Sequence, residues 1–153
     1  MAKKICFAAS TGGHFEQLMM LKPIMDKYES FVLTEKIGYD LVCCDKDVYY
    51  VKQINRKEKT FIFKMIINIF KSLKIFIKER PDLVITTGVL ATIPMCLIAK
   101  LFRKKLIYIE SFAKISSPTL TGKLLYRFAD QFYIQWEELK EFYPNAIYKG
   151  GIY

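Results

Sequence analysis

A chain of 153 residues that is 52% hydrophobic and 25% charged has room for one domain with a sizeable core, and its composition excludes a disordered chain. Lys plus Arg number 24 against 15 acids, and the resulting charge of +9 suits polyanions: nucleic acid, anionic lipid headgroups or phosphorylated substrates. No run of about 20 apolar residues could span a bilayer, so membrane contact is expected to be peripheral.

Ile5–Ala9 is a short apolar run ended by Ser10-Thr11-Gly12-Gly13, after which Phe15, Leu18, Met19 and Leu21 continue at helical spacing to about Asp26. That pattern predicts strand, glycine turn, helix. Phe31–Thr34 and Val48–Val51 read as strands two and three, and Lys59–Arg80 as a long helix closed by Pro81. Leu83–Thr86 is a fourth strand, running into Thr87-Gly88. Ala91–Phe102 is a helix with Pro94 near its first turn, and Leu106–Ile109 a fifth strand closed by Glu110-Ser111. Leu120–Ala129 reads as a helix, Gln131–Ile134 as a sixth strand, and Trp136–Phe142 as a short last helix. Unalternated apolar strands between helices predict one α/β domain over residues 1–153. The expected fold is a Rossmann-like, doubly wound parallel sheet of about six strands with helices on both faces.

Cys6, Cys43, Cys44 and Cys96 include no CxxC pair, and the chain opens without a secretory signal, so reduced thiols in a cytosolic protein are expected. No metal site or cofactor motif is visible.

Ligands of open α/β sheets bind beyond the carboxyl ends of the strands. Three polar turns fall there: Ser10-Thr11-Gly12-Gly13-His14, Thr86-Thr87-Gly88 and Glu110-Ser111. Gly12-Gly13 lets backbone approach a ligand, and the helix start after it offers N–H groups to an anion, although the turn is neither GxGxxG nor a Walker loop. His14, the single histidine, is a candidate base for an acceptor hydroxyl or a ring that only bonds the neighbouring loop. Glu110 is either a carboxylate that orients His14 or binds a sugar hydroxyl, or a backbone cap. Gly88 reads as a positive-φ or close-approach position. Along Lys59–Arg80, Lys64, Lys71, Lys74 and Lys78 gather on one side with Asn68 and Ser72. Ile62, Met65, Ile66, Ile69, Phe70, Leu73, Phe76 and Ile77 fill the other side, with Ile67 and Ile75 among the lysines. The apolar side is expected to be core. The lysine side suits either anionic lipid or plain solvent.

The three turns, in order and at this spacing, resemble those of the accessory subunits of bacterial capsular and exopolysaccharide glycosyltransferases. They also resemble the membrane-bound subunit of the two-component N-acetylglucosaminyltransferase of N-glycan assembly, and the N-terminal half of the GT-B enzyme MurG. The resemblance covers essentially the whole chain. It implies the acceptor-side subunit of a UDP-sugar-dependent hexosyltransferase acting on a lipid-linked saccharide at the cytoplasmic face of the membrane. The donor-binding half would come from a partner polypeptide, without which activity is weak or absent. It further implies catalytic roles for His14 and Glu110, and substrate contacts at Ser10, Thr11, Gly12, Gly13, Thr87, Gly88 and Ser111. Lys149, Gly150, Gly151 and Tyr153 match the place where the larger enzyme crosses into its second domain, and so imply a partner interface. The alternatives are a non-catalytic anchor for such a partner and, less well supported because the aromatics sit inside apolar runs, a nucleic-acid-binding domain.

Overall fold

The computed structural model describes residues 3–36 and 45–153. Cys43 and Cys44 lie outside the described residues, whereas Cys6 and Cys96 are buried free thiols. Burial pushes both thiols up, Cys96 to about 12, so neither is poised to react.

Seven strands form one sheet: β1 (Lys4–Ala8), β2 (Glu29–Glu35), β3 (Asp47–Val51), β4 (Leu83–Thr86), β5 (Lys105–Ile109), β6 (Gln131–Ile134) and β7 (Ile147–Tyr148). All neighbours are parallel, in the order β3-β2-β1-β4-β5-β6-β7. This is the expected Rossmann-like order, reversing direction between β1 and β4. The extra strand, β7, is two residues long and is enrolled by pairing with Tyr133 and Ile134, too short to leave a sequence pattern.

Alternate residues of each strand feed two cores. Ile5, Phe7, Val32, Ile85 and Ile109 face Phe15, Leu18 and Met25 on α1 (Gly13–Met19) and α2 (Lys22–Lys27). Cys6, Ala8, Leu33, Val84, Leu106 and Tyr108 face the opposite layer of α3 (Phe61–Glu79), α4 (Ile93–Leu101) and α5 (Leu120–Leu125). The helix expected up to Asp26 is in fact two, broken at Met20-Leu21. Pro23 restarts the chain in the first turn of α2, where its missing N–H costs nothing. Pro94 takes the same position in α4. The helix expected to Ala129 stops at Leu125, and the last expected helix is a 3₁₀ turn over Glu137–Glu141.

Helix α3 is turned differently from the expectation. Its buried stripe is Asn68, Ser72, Ile75, Phe76 and Glu79, so the seam between the lysine side and the apolar side faces the sheet. Asn68 and Glu79 tolerate burial because they have partners, whereas the buried Ser72 hydroxyl has none among the described residues. The Asn68 amide donates to the Lys52 carbonyl and accepts from its N–H, both at 2.8 Å, and Glu79 binds Lys4 at 2.6 Å and the Tyr49 hydroxyl. Ile62, Ile66, Ile69, Phe70 and Ile77, expected in the core, are therefore exposed, while Ile75, expected among the exposed lysines, is buried.

Candidate functional site

Because β4 lies between β1 and β5, the three polar turns emerge side by side at the carboxyl edge of the sheet. Gly12 (φ 75) turns the chain out of β1 in a conformation that disfavours other residues. Gly13 has ordinary torsions, and a Cβ added there would meet nothing within 4 Å, so packing does not demand glycine at that position. Both glycines are exposed, Ser10, Thr11 and His14 are half-buried, and the Ser10 hydroxyl donates to the Thr11 carbonyl.

His14 is locked to the fourth-strand turn by two reciprocal bonds. Its Nδ1 lies 2.9 Å from the Thr87 carbonyl, and the Thr87 hydroxyl donates to the His14 carbonyl at 2.9 Å. A carbonyl only accepts, so Nδ1 carries a proton and donates it, which makes Nε2 the nitrogen able to accept one. The orienting partner is thus backbone of Thr87, a residue for which the resemblance implied a substrate contact. The turn behind it is strained: Val89, a β-branched residue, sits at φ 152 and ψ 149. Gly88 is required twice over, by φ +87 and because a Cβ would lie 2.5 Å from the Tyr108 hydroxyl.

Glu110 does not face His14 with a free carboxylate. It is fully buried and accepts from the Ser111 N–H (2.9 Å), the Thr119 hydroxyl (2.9 Å) and the Tyr143 hydroxyl (2.8 Å). Burial, and after it the Glu110 charge, pushes both the Tyr108 and Tyr143 hydroxyls up, so they remain protonated. Thr119 also caps α5 by accepting from the Gly122 N–H at 2.8 Å, and a side chain at Gly122 would collide with Glu110 and Tyr143. The carboxylate therefore pins the 111–119 loop and the start of α5, while Tyr108 links it to Gly88 and hence to the His14–Thr87 pair. Thr87, Gly88 and Ser111 are buried.

Several residues at this edge drew no attention in the sequence. Glu35, at the end of β2, is buried, and burial raises its carboxyl despite hydrogen bonds with the Ile54 backbone and the Ser10 side chain. Gln135 donates to the Glu110 carbonyl (2.8 Å) and to the Gln17 side chain (3.3 Å), and accepts from the Ile152 N–H (2.9 Å). This amide ties α1, the end of β5 and the last residues together. Lys149, Gly150 and Gly151 rim an apolar cleft of about 280 Å³ floored by Ile85, Ile107 and Tyr133, while Tyr153 packs edge-on against Phe112. Buried amides and terminal strand edges carry no sequence signal, because their meaning lies in partners far along the chain. The lysines of α3 stand on the opposite layer, away from α1 and the tail. Among the described residues no group of three His, Cys, Asp or Glu side chains could hold a metal, and no helix is long and apolar enough to cross a membrane.

The model of a family described as "Oligosaccharide biosynthesis protein Alg14 like" matches residues 25–152. The human "UDP-N-acetylglucosamine transferase subunit ALG14" is 28% identical over 177 aligned positions, covering 97% of this chain and 82% of the human protein. Among solved structures, Acinetobacter baumannii MurG superposes with a TM-score of 0.73 at 19% identity, over 89% of this chain and 42% of MurG. The UDP-N-acetylglucosamine 2-epimerase of Rickettsia bellii superposes with a TM-score of 0.76 at 14% identity, over 99% of this chain and 46% of the epimerase. The chain thus spans less than half of either enzyme, and at these identities the likeness establishes a shared fold.

Proposed function

This chain belongs to the Alg14-like family of oligosaccharide biosynthesis proteins, and on that premise we propose that it is the acceptor-side subunit of a two-component glycosyltransferase. The complex transfers a hexose from a UDP-sugar to a lipid-linked saccharide, in capsule or exopolysaccharide synthesis, at the cytoplasmic face of the membrane. A separate subunit binds the donor. Lys149, Gly150 and Gly151, at the rim of the apolar cleft, and Tyr153, against Phe112, form the docking surface for that subunit.

The observation that carries this reading is the His14–Thr87 pair, which commits Nδ1 as a donor and so leaves Nε2 as the ring's proton-accepting nitrogen, at the edge where such sheets bind ligands. Nε2 takes the proton of the acceptor hydroxyl as its oxygen bonds to the anomeric carbon of the donor. The bond from that carbon to UDP breaks, and UDP leaves with the electron pair. The Thr87 carbonyl stabilises the imidazolium that forms. Ser10, Thr11, Gly12 and Gly13 line the substrate side, with the open space over the glycines admitting a phosphate. Thr87, Gly88 and Ser111 support them from behind. Glu110 acts through the loop that it pins, as a positioning residue.

A non-catalytic anchor is the second reading, favoured by the inward-turned Glu110 carboxylate and by the cleft beside the tail. Both readings meet their test in transfer of radiolabelled UDP-N-acetylglucosamine to lipid acceptor, with membranes holding this chain, a donor-binding subunit, or both. Activity that needs both subunits, and falls at least about a hundredfold in His14→Ala while the subunits still co-purify, establishes the catalytic role. Full activity of His14→Ala in the complex leaves the anchor reading. Equal activity of the donor-binding subunit alone refutes both.

A further inference from the structure

The last residues of the chain are joined to the site through one buried amide. Past β7 the tail has no helix or strand of its own. The Ile152 N–H donates to Gln135 Oε1 at 2.9 Å, and Tyr153 meets the Phe112 ring edge-on. Gly151 lies so close to the same ring that a Cβ there would be 3.1 Å from it. Phe112 stands two residues after Glu110, and its carbonyl accepts from the Trp136 indole N–H at 2.6 Å.

Gln135 is only 3% exposed, and its amide is fully engaged. Nε2 donates to the Glu110 carbonyl (2.8 Å) and to Gln17 Oε1 (3.3 Å), while Oε1 accepts from Ile152. The orientation of the amide is forced, because the Ile152 N–H only donates and the Glu110 carbonyl only accepts. A primary amide is also planar and rigid. Its oxygen cannot turn to another donor without withdrawing the nitrogen from Glu110 and Gln17. If the tail leaves, Oε1 is stranded without a donor where water scarcely reaches, and the group must reorient.

Gln17 gives this junction its consequence. It is buried on α1 one helical turn after His14 and on the same side of that helix. We infer that Gln135 is a positioning residue through which the seated tail sets the placement of His14. With the tail in place, the amide holds Gln17 and α1 in register with β5, and so holds the imidazole against the Thr87 carbonyl. A donor-binding subunit docked on residues 149–153 keeps the tail seated, and thereby steadies the acceptor-side base as well as completing the complex. That consequence for transfer rests on the function proposed above, whereas the link from tail to His14 belongs to this chain alone.

His14 and Trp136 are the single histidine and the single tryptophan, so each end of the link has its own signal in proton–nitrogen NMR spectra. Gln135→Leu, and separately a chain lacking residues 152–153, should shift the His14 ring signals together with the Trp136 indole signal, while both variants still melt cooperatively. Should Gln135→Leu fail to fold, the truncation decides, since it removes tail residues alone. In the complex, Gln135→Leu should still co-purify with the donor-binding subunit but lose at least about tenfold in kcat, with KM for the UDP-sugar unchanged. His14 signals that stay in place in a folded variant overturn the inference. So does an unchanged kcat at saturating donor-binding subunit, which would confine the tail to docking. Shifted His14 signals in a system whose unmodified complex transfers no sugar would sink the proposed reaction and leave the link standing, so the two fail separately.

Discussion

At the scale of single residues, His14 and Glu110 emerged from the sequence as equals and leave the structure with different tasks. His14 is half-buried with one nitrogen committed to the Thr87 carbonyl, whereas all the bonds of the Glu110 carboxylate are made inside the protein. Glu110→Ala should therefore lower stability by about 2–4 kcal/mol, because the Tyr143 and Thr119 hydroxyls lose their acceptor in the core; urea denaturation would measure it. Tyr143→Phe, which removes a single donor, should cost less, about 1 kcal/mol. Gly13 makes the complementary case. A methyl group there meets open space, so Gly13→Ala should melt within about 1 kcal/mol of the unmodified chain. If a substrate phosphate approaches that backbone, the same variant loses transfer activity while remaining folded, and unchanged kcat/KM would place the substrate elsewhere.

At the scale of elements, short polar contacts decide how helices and loops are seated. Asp130, in the turn before β6, accepts from Lys100 on α4 (2.7 Å), Lys105 (3.0 Å) and the Leu106 N–H (2.9 Å). Burial opposes its ionisation, but these bonds outweigh burial and hold the carboxyl at about 2, below its ordinary 3.8. A depressed carboxyl stabilises the fold above its unfolded pKa, and the contribution is lost as pH falls through the folded value. Asp130→Asn should thus be about 1–2 kcal/mol less stable at pH 7, with the gap closing between about pH 4 and pH 2 in denaturation curves. Helix α3 shows the same principle in reverse. The apolar arc of Lys59–Arg80 was legible, but which edge of it meets the sheet depended on the two Asn68–Lys52 bonds and the Glu79–Lys4 pair. Amphipathicity assumes that the apolar side faces the core, and that assumption fails where polar side chains of the helix find partners on the sheet side.

At the scale of the whole molecule, the sheet presents three different surfaces. Its carboxyl edge presents His14, its α3–α4 layer an exposed apolar stripe, and its tail the cleft beside Lys149–Ile152. The tail is laced to the site, since Gln135 bonds both Ile152 and the Glu110 carbonyl. Removing residues 149–153 should abolish co-purification with the donor-binding subunit, while the sheet, whose last strand ends at Tyr148, still melts cooperatively. Retained association in pull-downs would exclude the tail as the docking surface.

What the sequence determined by itself was the parallel sheet, the order of its long elements and the three polar turns. These follow from local apolar runs, glycines and prolines, whose physical consequences are felt within a few residues. The tertiary structure alone decided the seventh strand, the turning of α3, and the division between an outward His14 and an inward Glu110. Each of these depends on hydrogen bonds between positions far apart in the chain, such as His14 with Thr87 and Glu110 with Tyr143. No local pattern encodes a partner that arrives only when the sheet has closed around it.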